Sequence, residues 1–162
     1  MFFNIENTTI QIGQIVGHQY RSTDIVPSRS KIGFLDIPKN IDHFIFDDDF
    51  NTPIYPTDIP RYIKKVEFGK SFNHGLPVHA IHDSVEDLTF GDSFNQPIYK
   101  DVIPPSVKRL KFGRNFNQHI LSGVIPLSVE ILILGPNQKF IDFVQDLIFL
   151  KELTFGGDFN QP

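Results

Sequence analysis

The side chains best suited to chemistry in this sequence are its histidines and one cluster of carboxylates. His79 and His82 have the H-x-x-H spacing that brings two imidazoles toward one metal ion, and His74 is close by. A zinc site needs three or four convergent donors, and no others are at hand, so surface or turn positions are expected for these histidines. Asp47-Asp48-Asp49 gathers three carboxylates, but a calcium loop alternates its ligands and closes on a distal Glu. A solvated acidic turn fits better. Gly69-Lys70-Ser71 ends like a phosphate loop, yet the earlier Gly that such a loop requires falls at Lys64. Ser, His and Asp all occur, with no spacing that marks a catalytic set. There is no cysteine, hence no thiolate nucleophile or thiolate metal site. The expectation is a chain that is not an enzyme and holds neither metal nor cofactor.

What these residues are mounted on is far clearer. Phe-Asn recurs at Phe50-Asn51, Phe72-Asn73, Phe94-Asn95 and Phe116-Asn117 with a period of about 22 residues, and returns at Phe159-Asn160. Ile-Pro recurs in step at Ile37, Ile59, Ile103 and Ile125, with Ile81-His82 in the same slot. About six residues after each comes an apolar-x-apolar triplet, as in Phe44-Ile45-Phe46, Val66-Glu67-Phe68 and Leu88-Thr89-Phe90, and in most coils a Gly follows. A fixed period of this size is the signature of a solenoid. A strand of three or four residues cannot bury its apolar side alone. Stacked at the ~4.8 Å spacing of paired strands, it joins a parallel sheet and shares one core. The Gly is expected to turn the chain out of the strand. Phe50, Phe72, Phe94, Phe116 and Phe159 are expected to stack as a spine, with Ile54, Leu76, Ile98 and Ile120 filling a further inward slot.

Asn51, Asn73, Asn95, Asn117 and Asn160 are expected to form a structural ladder, buried amides bonding backbone groups between coils. Residues 1–36 do not fit the period. Ile10, Ile12 and Ile15 suggest a short strand there, within a segment that caps the open first coil. The solenoid is expected over 37–162 in about six coils. The coil at 135–155 is degenerate and one residue short, with Phe140, Phe143, Val144, Leu147 and Ile148 at helical spacing. The last coil is incomplete, so self-association through a bare C-terminal sheet edge is a second expectation.

Composition fits a repeated slot: 17 Phe against 4 Tyr and no Trp, with 12 Pro and 11 Gly to turn the chain. A net charge of −4 disfavours nucleic acid and anionic membranes. Lys64, Lys65, Lys108, Arg109, Lys111 and Arg114 make a local basic region, but Glu67, Asp87 and Asp92 interleave with it. No apolar run reaches the ~18–20 residues that span a bilayer, and the N-terminus lacks the basic start and apolar stretch of a secretory signal. A cytoplasmic protein is expected.

Functional variation is then confined to the residues that point out of the strands. These are His43 and Ile45, Lys65 and Glu67, Asp87 and Thr89, Arg109 and Lys111, Ile131 and Ile133, then Glu152 and Thr154. They change from coil to coil while the frame stays fixed. A mixed patch with Ile45, Ile131 and Ile133 exposed beside Arg109 and Lys111 suits contact with a protein partner.

The units LTFGDSFNQPI…IPPSV, LKFGRNFNQHI…IPLSV, VEFGKSFNHGL…IHDSV and FIFDDDFNTPI…IPRYI closely resemble the FNIP repeat, a unit related in length to leucine-rich repeats. The resemblance covers about Ile37 to Pro162. It implies a mainly β, leucine-rich-repeat-like solenoid with a short-stranded parallel sheet and an irregular outer arc. Proteins of this family occur mainly in social amoebae and giant viruses of amoebae, which would place this chain in host cytoplasm if viral. Many carry an N-terminal F-box or kinase domain, and their repeats are presumed to bind proteins. Residues 1–36 are too short and too poor in Leu to resemble an F-box.

Overall fold

The computed structural model describes residues 42–56, 58–136 and 146–156, together with the backbone of 9–12. Seven strands form one parallel sheet in strict sequence order: β1 (Thr9–Ile12), β2 (His43–Phe46), β3 (Lys65–Glu67), β4 (Asp87–Thr89), β5 (Arg109–Lys111), β6 (Ile131–Leu134) and β7 (Glu152–Phe155). Register runs without a slip, Phe44 opposite Val66, Leu88, Leu110, Leu132 and Leu153 in turn. The missing residue before β7 is therefore absorbed outside the sheet. The N-terminal segment supplies the first strand, Ile10 lying opposite Phe44. Ile15, the helical spacing around Phe140–Val144, and the terminal Phe159-Asn160 lie outside the described residues.

The four coils between β2 and β6 each close through three backbone turns. Phe94 N–H donates to Gly91 O, Val102 N–H to Tyr99 O and Val107 N–H to Pro104 O, and the neighbouring coils repeat all three bonds. In the middle turn the third residue has positive φ: His79 at 65°, Asp101 at 67° and Gly123 at 77°. That is the type II pattern, which needs a left-handed residue at this point. Between β2 and β6 the described outer arc has neither helix nor strand, as expected of an irregular arc, while its turns repeat from coil to coil.

The core is a double ribbon of phenylalanine. One column comes from the strand ends, Phe46, Phe68, Phe90 and Phe112, with ring centroids 4.9, 5.5 and 5.3 Å apart and nearly parallel planes. The other is the Phe-Asn column, Phe50, Phe72, Phe94 and Phe116, stacked at 6.1, 6.0 and 5.9 Å. The two columns touch within each coil, as in Phe90–Phe94 at 4.1 Å. All but Phe50 are buried, and full burial of each ring contributes about 1.5–3 kcal/mol. Ile54, Leu76, Ile98 and Ile120 complete the interior.

The glycine after the strand has a different purpose from the one its position suggests. Gly69, Gly91, Gly113 and Gly135 do not have positive φ. A Cβ at each would lie between 1.9 and 2.2 Å from the carbonyl oxygen of the same position one coil back, Asp47 O or the preceding glycine's O. Glycine is required because two backbones touch there, not because the chain turns. Close to it a second set of inter-coil bonds forms, Ser71 N–H to Asp48 O and Ser93 N–H to Lys70 O, both 2.8 Å.

Candidate functional site

The alternation of side chains across a pleat sends Val66, Leu88, Leu110 and Leu132 into the core and leaves their flanking residues on the outer surface of the sheet. Ile45, Lys65, Glu67, Asp87, Thr89, Arg109, Ile131 and Ile133 are half-buried, and Lys111, Glu152 and Thr154 are exposed. The three isoleucines are thus less open than expected, because neighbouring strands only ~4.8 Å away shade them on both sides.

The charges of this face are mostly engaged with one another. Lys65 Nζ lies 2.7 Å from Glu67 Oε1 and 4.0 Å from Asp87, and Arg109 Nη1 lies 3.2 Å from the other oxygen of Asp87. His43 Nε2 is 2.9 Å from Glu67 Oε1. Burial lowers the pKa of that imidazole, and repulsion from Lys65 adds to the effect. Burial by itself would raise the Glu67 carboxyl, but Lys65 and His43 outweigh it and hold it below its usual range. Lys111 differs: its ammonium has no carboxylate partner among the described residues.

One step before each strand lies a column that single-coil reasoning missed. Asp42, Lys64, Glu86, Lys108, Glu130 and Lys151 alternate in sign. Glu86 bridges Lys64 at 3.2 Å and Lys108 at 2.9 Å, and Lys151 meets Glu130 at 2.8 Å. Lys108, then Lys64, lowers the Glu86 pKa. Lys64 and Lys108, which read in sequence as parts of a basic region, are neutralised here. Asp48, Lys70, Asp92 and Arg114 alternate likewise beside the glycine column. Asp48 pairs with the Lys70 ammonium and accepts its backbone N–H. The acidic triplet is therefore partly built into the stacking of coils.

The asparagines connect the coils by side chain. Oδ1 of Asn51, Asn73 and Asn95 accepts the backbone N–H of Asn73, Asn95 and Asn117, at 3.0, 2.9 and 3.0 Å. Gln96 and Gln118 donate to the same oxygens one coil back, at 3.1 and 3.0 Å. Asn51 is exposed and the others half-buried, so the amides are less enclosed than the sequence suggested. Asn117 Oδ1 is buried with no partner among the described residues, and Asn160 lies outside them. Ser106 and Ser128 add a further link by donating to Val85 O and Val107 O.

The histidines do not converge. His74 Nε2 lies 3.1 Å from Asn51 O, His82 Nδ1 accepts the Ser84 N–H, and His79 is exposed in its type II turn. Among the described residues no group of three His, Asp or Glu is placed to hold a metal ion, and no helix is long and apolar enough to cross a membrane. A 240 Å³ depression on the outer arc, lined by Ser122, Ile125, Leu127 and Asp146 among others, brings in a single carboxylate. Exposed Tyr55, Pro77, Tyr99 and Leu121 form a column at the first position of the middle turns, and nothing in the sequence pattern marked it.

The FNIP repeat model matches residues 30–71, 50–93, 72–114 and 94–137. The chain belongs to the FNIP repeat family. The FNIP solenoid is similar in structure to CroV588, a giant-virus protein described as a novel circular LRR protein, with 35% identity and a TM-score of 0.70. The match covers 77% of this chain and 19% of that protein's. No curated protein is significantly similar to this FNIP chain. Its fold is a leucine-rich-repeat-like parallel solenoid, and it is a repeat protein of a kind that commonly serves protein interaction.

Proposed function

We propose that this chain is a non-enzymatic protein-binding module and that the partner docks on the outward side of the sheet. The observation that carries the reading is the split between frame and face. Core Phe, stacking Gly and ladder Asn recur coil after coil, whereas the outward pairs run Lys/Glu, Asp/Thr, Arg/Lys, Ile/Ile on one continuous surface. A surface of that make-up, polar in β3 to β5 with apolar Ile45 in β2 and Ile131 and Ile133 in β6, has the character of a non-obligate interface. Affinity capture compares the wild type with Lys111→Glu and with Arg109→Glu/Lys111→Glu. Partners held by the wild type and released by both variants support the reading. Unchanged capture by variants with native circular dichroism refutes it. Lys111→Glu is the cleaner change, because Arg109→Glu also sets two carboxylates side by side at Asp87.

Self-association through the C-terminal edge is a second reading, favoured by β7, where Leu153 and Phe155 are only half-buried although their counterparts in β2 to β6 are buried. Light scattering across a concentration series tests it, and a monomer at every concentration excludes it.

A further inference from the structure

Among the described residues the strand face carries one cation without a carboxylate partner, Lys111, and it stands beside an aliphatic strip. From β2 to β6 the outward cations are Lys65, Arg109 and Lys111, and the outward carboxylates are Glu67 and Asp87. Glu67 serves Lys65, and Asp87 is shared between Lys65 and Arg109. Lys111 is left exposed, with Thr89 on one side and Ile133 on the other in register. Arg109 stands opposite Ile131 on the same strand pair. Two cations thus face two half-buried isoleucines across one strand spacing of ~4.8 Å, with ~6.6 Å between the members of each pair along the strand. Beyond the isoleucines the charge reverses, since Glu152 lies opposite Ile131.

We infer that this face takes an acidic-aliphatic protein segment, which sets a carboxylate against Lys111 and an aliphatic side chain over Ile131 and Ile133. The inference rests on the protein-binding reading above and adds the partner's chemistry. Charge complementarity selects the occupant: a carboxylate gains an unshared ammonium at Lys111, and at Glu152 it meets repulsion. The acid therefore belongs on the β5 side and the aliphatic residue on the β6 side. A polyanion such as RNA or an anionic bilayer would also face Glu67, Asp87 and Glu152, so an isolated acid within an apolar segment fits better than a run of negative charge. Covering the isoleucines removes water from surface that the neighbouring strands leave open.

The test pans a phage-displayed random-peptide library against the intact chain, Lys111→Glu and Ile133→Asn, and measures synthetic copies of the enriched peptides by fluorescence anisotropy. On the wild type, enriched clones carry Asp or Glu next to Leu, Ile or Val. Their affinity falls at least about tenfold with Lys111→Glu and falls also with Ile133→Asn, while Lys111→Glu itself enriches Lys or Arg clones. Clones that depend on both residues but lack a carboxylate overturn the partner class and leave the strand-face reading standing. Clones indifferent to both substitutions overturn both. An absence of enriched clones, or Lys111-dependent binding of oligouridylate or phosphatidylserine vesicles in place of peptides, also overturns the inference.

Discussion

Gly91→Ala isolates the contact between coils better than any change in the core. The added Cβ would lie 1.9 Å from Gly69 O and 2.6 Å from Gly69 C. Carbon and carbonyl oxygen in close contact settle at about 3.3 Å, so the two coils must part by about 1.4 Å at this point. Both obstacles are backbone, and no rotamer change relieves them. The bonds on either side, Phe68 N–H to Thr89 O at 2.9 Å and Ser93 N–H to Lys70 O at 2.8 Å, would stretch beyond hydrogen-bonding range. Two lost bonds cost about 1 kcal/mol each, and forced separation of packed side chains adds about 1–3 kcal/mol. The expected loss is about 3–5 kcal/mol. With a urea slope of ~1–3 kcal/mol/M, the midpoint falls by at least about 1 M. Gly75→Ala is the matched control, since its Cβ meets nothing within 4 Å and its φ is not positive. It is expected to be neutral or to stabilise by about 0.4–1 kcal/mol through the unfolded chain. Urea melts followed by circular dichroism decide between them. A Gly91→Ala protein as stable as Gly75→Ala would refute the claim that touching backbones select this glycine.

Two further outcomes follow from the ladder and from one misplaced acid. Asn95→Ala removes the acceptor of Asn117 N–H and one of the two acceptors of Gln118 Nε2, which keeps Asn95 O, and is expected to cost about 1–3 kcal/mol in the same melts. Asn51→Ala costs less, because water reaches that exposed end of the ladder, and equal losses would count against the argument. Asp58 occupies a buried slot that Ala80, Val102 and Val124 fill in later coils. Burial raises its carboxyl pKa, and the bond from Tyr55 N–H only partly opposes this. The folded protein therefore holds this proton more tightly than the unfolded chain. The associated stability is full below the unfolded value of ~3.9 and is lost as pH rises through the folded value. Measured against Asp58→Asn, the wild type should gain stability on acidification from pH ~7 to ~4, and a constant difference refutes the assignment.

The frame was readable because each slot demands a residue type. A ring stacked on rings one coil away selects Phe, so Phe72, Phe94 and Phe116 announce themselves. Where the slot demands something else, the sequence is silent. The type II turn needs only a left-handed backbone, and His79, Asp101 and Gly123 share no chemistry. The glycine column was visible, but its reason was not, because a carbonyl arriving from the preceding coil leaves no trace in local sequence. The alternating column escaped notice for a related reason. Lys64 and Lys108 look alike when coils are aligned, and only the Glu86 between them reveals their purpose. On the strand face the set of outward residues could be listed in advance. The sharing of Asp87 between Lys65 and Arg109, which singles out Lys111, depended on distances.

The alternating column also constrains how such an array can lengthen or shorten. Deleting one coil would bring Lys64 against Lys108, or Glu86 against Glu130, and like charges directly opposite in a ladder repel. Deleting or duplicating two adjacent coils preserves every sign, here and in the Asp48–Lys70–Asp92–Arg114 column. The structural unit is one coil, but the heritable unit that gene duplication can copy without electrostatic penalty is a pair.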